Sequence, residues 1–295
     1  MTSVGFIGLG NMGTPMACNL VAAGLQVTGH DVAEGARTAA RATGVDIADS
    51  AVAAAANRDV VITMLPDGAA LLEVYRTIMA DVRASTVLMD CSTVDIASAR
   101  KAHDMAAERH LPSVDAPVSG GIAGAEAGTL TFMVGGAPPA CEAVRPLLDI
   151  MGRTIVLCGG PGCGQAVKIC NNMILGISMI GVCEALTLAR ELELEPERVF
   201  DVVSTSSGSC WSMNDYCPLP GVGPESPADH DYRPGFAAAL MLKDLGLSQQ
   251  AAASVDVATP MGAMASSVYE AMVASGMGHL DFSAVIRHVR SQMRE

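Results

Sequence analysis

The chain has 295 residues, half of them hydrophobic and 17% charged, which is enough apolar material for two domains with buried cores and excludes a disordered chain. Its formal net charge of −13 argues against nucleic acid and anionic membrane as partners, since both require a basic face. Nine cysteines, an odd number without a CxxC pair, suit neither a disulfide framework nor a zinc site, and no metal is expected. The N-terminus lacks a basic segment followed by a long apolar core, and the longest uncharged apolar stretch, 169–183, is short of the ~20 residues of a membrane span; a cytoplasmic protein is expected.

Residues 4–160 alternate short β-branched runs with Ala-rich stretches. Strands are predicted at 4–9, 26–31, 59–65, 86–90, 113–116, 130–134 and 154–157, with helical composition at 12–23, 69–80, 96–109 and 139–150. Strands separated by helical segments imply βαβ crossovers and a mainly parallel sheet, whose strands read as continuous apolar runs.

The first strand leads into Gly8-Leu9-Gly10-Asn11-Met12-Gly13 and then a helix, and Asp31 ends the second strand. In this setting Gly8 permits a tight turn, Gly10 lets the backbone approach a pyrophosphate, and Gly13 lets helix pack closely on strand, while the helix N-terminus supplies donors. Asp31 can accept bonds from both adenosine ribose hydroxyls and would repel a 2′-phosphate. The first Arg after it is Arg37, so NAD is favoured over NADP. The plainer alternative is that Asp31 caps the next helix.

Three further loops leave predicted strand ends, where an open α/β sheet binds its ligands. Thr63-Met64-Leu65-Pro66 breaks at its proline. In Asp90-Cys91-Ser92-Thr93, Ser92 and Asp95 are compatible with a helix-capping pair. Asp115-Ala116-Pro117-Val118-Ser119-Gly120-Gly121 lacks the first glycine of a nucleophile elbow, but a Ser-Gly-Gly turn can offer a hydroxyl and successive backbone N–H groups to an anion.

After the Gly-rich segment 159–164 the pattern changes. Residues 165–193 read as one long helix without proline, apolar all round at 173–183, and so to be buried by both domains or by a second subunit. Helices follow at 196–204, 237–252, 261–275 and 282–294, interrupted by a proline-rich loop at 217–234. Two domains are expected, 1–163 and 164–295, the second all-helical. Of the 18 cations only Lys101, Lys168 and Lys243 are lysines. Lys168 and Asn172 share a helix face among apolar neighbours; a desolvated lysine can give up its proton and do acid/base work, which arginine cannot. A snorkelling side chain is the bland reading of Lys168, and a structural ion pair that of Lys243-Asp244.

Taken together, residues 5–13, 63–66, 90–93, 115–121, Gly164-Gln165-Ala166-Val167-Lys168-Ile169-Cys170-Asn171-Asn172 and Lys243-Asp244-Leu245 closely resemble the β-hydroxyacid dehydrogenases, over essentially the whole chain. Ser206-Ser207-Gly208, Trp211 and Tyr216-Cys217-Pro218-Leu219-Pro220-Gly221-Val222 are most similar to the branch that oxidises 3-hydroxyisobutyrate in valine catabolism. The resemblance implies an α/β fold with an N-terminal Rossmann-like doubly wound domain, a long interdomain helix and an all-α C-terminal domain, assembled as a homodimer or homotetramer. It implies Lys168 as the catalytic residue, Asn172 as a substrate ligand and Ser119, Gly120 and Gly121 as the carboxylate cradle. Gly8, Gly10, Asn11, Met12, Gly13 and Asp31 would bind NAD, Leu65, Pro66 and Thr93 would line the nicotinamide side, and Lys243 would reach cofactor or substrate. Ala70 departs from the amide or hydroxyl that the family often places there. The same chemistry on L-serine or tartronate semialdehyde is the nearest alternative, with discrimination falling to side chains around Trp211, Phe236 and the proline-rich loop. A non-catalytic dinucleotide-binding module is a remoter one.

Overall fold

A computed structural model of the chain describes residues 2–292. The chain divides into two compact units, one through Lys168 and one from Ile169. The first runs β1 (Ser3–Ile7), α1 (Gly13–Ala22), β2 (Gln26–His30), α2 (Glu34–Ala42), β3 (Asp46–Ile47), α3 (Ala51–Ala55), β4 (Val60–Thr63) and α4 (Gly68–Ile78). It continues through β5 (Val87–Asp90), α5 (Ile96–Glu108), β6 (Ser113–Asp115), β7 (Val118–Ser119), α6 (Gly121–Glu126), β8 (Leu130–Gly136), α7 (Pro138–Met151) and β9 (Gly152–Gly159) into the start of α8 (Cys163–Glu191).

Strand order is β3-β2-β1-β4-β5-β6-β8-β7, with β9 beside β8. Every pair from β3 to β6 is parallel, whereas β8 runs antiparallel to both β6 and β7 and parallel to β9. This is a doubly wound sheet, reversing direction of growth between β1 and β4, where ligands bind beyond the strands' carboxyl ends. The strands read as unbroken apolar runs because both faces are covered. Val60 and Ile62 pack into a core with Phe6, Leu20 and Leu148, while Val61 faces the opposite way into one with Leu71, Tyr75 and Leu88. Strands β3 and β7, two residues each, carry no pattern long enough to be read in advance. The predicted first strand stops at Ile7 rather than Leu9, because Gly8 turns the backbone to φ +97°.

The second unit holds the remainder of α8, then α9 (Pro196–Val203), α10 (Trp211–Asn214), α11 (Ala238–Ser254), α12 (Pro260–Met272) and α13 (Val285–Gln292). Its core gathers Met179, Cys183, Leu186, Met241, Leu245, Tyr269 and Ile286. The predicted helix at 261–275 ends early: α12 widens into a π turn at Val273–Met277, broken by Gly276 at φ +88°. The predicted final helix opens as a 3-10 turn, Phe282–Ala284, and its last two positions, 293 and 294, lie outside the described residues. The proline-rich loop contains a 3-10 turn, Pro227–His230, closed by a reciprocal Ser226–Asp229 capping box.

Helix α8 starts within the first unit, and the division between units falls inside it. Among the described residues it is long and apolar enough to cross a membrane by length and composition, yet half of its most apolar window is buried in the chain. Its centre is not covered all round by this chain alone, since Ile174 is 64% exposed.

Candidate active site

The three glycines of the first loop have separate causes. At Gly8 a Cβ would strike the Met64 carbonyl, and at Gly13 it would strike the Gly8 carbonyl and come within 3.1 Å of the Phe6 ring. Those two are required by the protein's own packing. At Gly10 a Cβ would meet nothing within 4 Å and the backbone is not left-handed, so nothing among the described residues demands a glycine there. An exposed glycine without an internal cause, beside a helix N-terminus that no side chain caps, fits a loop kept bare for a pyrophosphate. Asn11 is exposed and Met12 half-buried between them.

Asp31 lies just beyond β2 and does not cap α2, whose N-cap residue is Ala33. Its carboxylate accepts from Leu9 N at 2.7 Å and from Ala33 N at 2.7 Å, tying the strand end to the glycine loop. A carboxylate offers about four lone-pair sites, so capacity remains for ribose hydroxyls. Sequence spacing set Arg37 aside as too distant, but α2 folds it back: its guanidinium donates to the carbonyls of Asp31 (2.6 Å) and Val32 (3.1 Å).

The next two loops are stitched by one buried carboxylate. Asp90 Oδ1 accepts from Thr63 Oγ1 (2.7 Å) and Ser92 Oγ (2.6 Å), and Ser92 Oγ in turn accepts from Leu65 N (2.8 Å). Burial pushes the Asp90 carboxyl up to about 6, against the hydrogen bonds from Ser92 and Thr63 that hold it down. Its other oxygen, Oδ2, is buried with no hydrogen-bond partner among the described residues. Ser92 is therefore not half of a capping pair. Asp95 caps α5 alone, accepting from Ser98 N at 2.7 Å, while Ser92 turns inward and sets the Leu65-Pro66 turn against the loop bearing Thr93. Where Ala70 departs from the family pattern, its backbone N–H is taken by the Asp67 side chain, which caps α4.

Ser119 ends β7 opposite Thr131, and Gly120 (φ +131°) and Gly121 (φ +62°) follow in left-handed conformations that open α6. The three residues lie at the partly exposed edge of the sheet.

Asp115 and Gln165 were not foreseen as site residues. Asp115 Oδ1 accepts from Gly162 N and from His103 Nε2, both at 2.9 Å, and Oδ2 accepts from Gln165 N at 3.0 Å, so one carboxylate anchors the start of α8. His103 is held on its far side by Ser113. The Gln165 side chain, fully buried, donates to Ser92 O at 2.6 Å and accepts from Val94 N at 3.2 Å. Lys168 follows on the next turn of α8, and Asn172 one turn beyond it; both are buried. Asn172 Nδ2 donates to Asp244 Oδ2 at 2.5 Å, which sets α8 against α11 beside the half-buried Lys243.

In the second unit Trp211 stacks on Tyr216 (4.6 Å between centroids), Tyr216 on Phe282 (5.4 Å), and Phe236 meets Phe282 edge-on (5.8 Å). Beneath them Asp281 Oδ2 accepts from Tyr216 OH, Gly235 N and Phe236 N, each at 3.0 Å, and Oδ1 from Ser283. No local signal marked Asp281.

Residues 3–160 match the family model described as the NAD binding domain of 6-phosphogluconate dehydrogenase. Residues 162–289 match the one described as NAD-binding of NADP-dependent 3-hydroxyisobutyrate dehydrogenase. A probable 3-hydroxyisobutyrate dehydrogenase of Mycobacterium tuberculosis is 45% identical over 292 residues, 99% of each chain. An NAD-dependent L-serine dehydrogenase of Pseudomonas aeruginosa is also 45% identical, over 97% of each chain. The solved structure of Mycobacterium tuberculosis 3-hydroxyisobutyrate dehydrogenase with L-serine superposes with a TM-score of 0.94 at 46% identity, covering 98% of this chain and 99% of that one. The chain belongs to the 3-hydroxyisobutyrate dehydrogenase family of NAD(P)-dependent oxidoreductases.

Proposed function

We propose that the chain oxidises 3-hydroxyisobutyrate to methylmalonate semialdehyde with NAD, a step of valine catabolism; relatives named 3-hydroxyisobutyrate dehydrogenase support the choice of substrate. The observation that carries the reading is the pair Lys168 and Asn172, buried one turn apart on α8 in a chain with only three lysines. Ser119 with the N–H groups of Gly120 and Gly121 binds the substrate carboxylate, and Asn172, itself oriented by Asp244, directs the hydroxyl-bearing end. The unprotonated Lys168 amine accepts the hydroxyl proton while the carbinol C–H pair leaves as hydride and the C=O bond forms; in reverse the ammonium returns the proton. The 8–13 loop would hold the pyrophosphate of NAD, Asp31 its adenosine ribose, and Leu65, Pro66 and Thr93 would line its nicotinamide, which when bound would supply the hydride acceptor. Lys243 serves cofactor or substrate from α11. Asp31 supports NAD over NADP, because its carboxylate would repel a 2′-phosphate while Arg37 is engaged on main-chain carbonyls. A cytoplasmic homodimer or homotetramer is the assembly we infer, with the exposed Ile174 face of α8 as the apolar surface to be covered.

A second reading, the same chemistry on L-serine, is favoured by the equal identity of the serine dehydrogenase relative. The test is kcat/KM with NAD and with NADP across 3-hydroxyisobutyrate, L-serine, 3-hydroxypropionate and glycerate. The highest value is expected for 3-hydroxyisobutyrate with NAD. A maximum on L-serine transfers the assignment to the second reading, a preference for NADP overturns the role of Asp31, and no turnover on any substrate makes the chain a binding module.

A further inference from the structure

Burying a primary amide without partners costs several kcal/mol, so a fully buried glutamine is expected to be held in one rotamer by its bonds. Gln165 has both sides of its amide engaged on one short piece of main chain: Nε2 donates to the carbonyl of Ser92 and Oε1 accepts from the N–H of Val94. These groups flank Thr93. The amide thus pairs with the main chain on either side of Thr93 as a neighbouring strand would, and it does so from the helical turn immediately before Lys168.

Two more contacts fix the same turn. Asp115 accepts the N–H groups of Gly162 and Gln165, one on each oxygen. At Gly164 a Cβ would lie 2.8 Å from Asp115 Oδ2 and 2.9 Å from the Asp115 carbonyl, so the turn sits directly on the end of β6. The start of α8 is gripped from below by β6 and from the side by the loop after β5. A lysine is long, and a small rotation of its helix is amplified at the amine.

We propose that Gln165 is a positioning residue for Lys168: by bracketing Thr93 it sets the distance and direction between the loop that lines the nicotinamide and the amine that moves the proton. The inference rests on the assignment of Lys168 as the acid/base. Misplacement of reacting groups by about 1 Å costs on the order of 10²-fold, and both bonds of the Gln165 amide end on the main chain of the loop at 92–94.

The test uses two variants of the full chain beside Lys168→Ala. Gln165→Leu keeps the volume and loses both bonds; kcat is expected to fall about ten- to hundredfold while the Kd for NAD stays within about threefold. The deuterium isotope effect on kcat, with substrate labelled at the carbinol carbon, should rise as chemistry becomes rate-limiting. Gln165→Glu supplies its own rescue: a protonated carboxyl can donate to Ser92 O and accept from Val94 N as the amide does, and an ionised one cannot. The titratable groups around that position are Asp115 at its main chain, with His103 behind, Asp90 behind Ser92, and Lys168 on the next turn. The ratio of variant to wild-type kcat should therefore rise as pH falls. Wild-type kcat in Gln165→Leu with an inactive Lys168→Ala overturns the positioning role alone, and turnover by Lys168→Ala overturns the reading beneath it. A fall in kcat matched by lost active sites, with an unchanged isotope effect and a ratio flat in pH, makes the contact merely structural and overturns the proposal too.

Discussion

Asp90 and Asp115 of the first unit lie at the carboxyl ends of β5 and β6, whereas Asp281 of the second lies in the turn before the last helix; all three are buried. The strand-end carboxylates join segments far apart in sequence: Asp115 takes N–H groups 47 and 50 residues ahead, and Asp90 bonds to Thr63, 27 residues behind. Asp90 also leaves an oxygen unspent, since its Oδ2 has no partner among the described residues. Asp281 accepts on both oxygens from Tyr216, Gly235, Phe236 and Ser283, and so closes an aromatic stack. The contrast teaches that a parallel sheet gathers its loops at one edge, where a buried charge can organise a site, while between helices the same group is used up in holding the packing together.

Removing the group that the first unit delivers should have the largest effect. Lys168→Ala is expected to lose at least ~10²–10⁴ in kcat while NAD still binds, and Lys168→Arg should be nearly as damaging because a guanidinium does not give up its proton. Steady-state rates and NAD titration check this; near-normal turnover would take the chemistry away from α8. Asp281→Ala asks whether the second unit's carboxylate is confined to packing. Stranding several buried donors should cost about 3–5 kcal/mol of stability. Because Trp211 is the sole tryptophan, its fluorescence should report loss of the stack. If kcat collapsed with stability and fluorescence intact, the distinction between the units would fail.

The smallest effect concerns Asp90. Its carboxyl is raised from 3.8 to about 6, so the folded state keeps a proton that the unfolded chain releases. Its contribution to stability is fully present below pH ~4 and is lost as pH rises through about 6. Asp90→Asn does not ionise, so its stability relative to wild type should climb between pH 4 and 6 by on the order of 2 kcal/mol and then level off. Thermal melts at pH 4, 5, 6 and 7 decide it, and a difference flat in pH would mean that Asp90 ionises as an exposed carboxylate does.

Much of the first unit was legible because its signals are local. The 8–13 loop places three glycines within one turn, and the apolar strands announce themselves by composition. Lys168 stood out through the chain's preference for arginine. The positions of α10, β3 and β7 were not legible, being too short to carry a period. Nor was the inward turn of Ser92, whose spacing to Asp95 imitates a capping pair while its partners, Leu65 and Asp90, come from the sheet edge. Nor was the seat of Arg37, which the first turn of α2 brings back onto the Asp31 carbonyl.

The sequence by itself determined the alternation of the longer strands and helices and the dinucleotide loop, because those depend on neighbours within a few positions. Only the tertiary structure decided that Gln165 brackets Thr93, that Asp115 anchors α8 and that Asp281 supports the aromatic stack. Each of these joins groups tens of residues apart, 71 and 73 in the case of Gln165. No local pattern encodes such a meeting: a buried amide or carboxylate must find partners somewhere, but which ones it finds is settled by how sheet and helices pack.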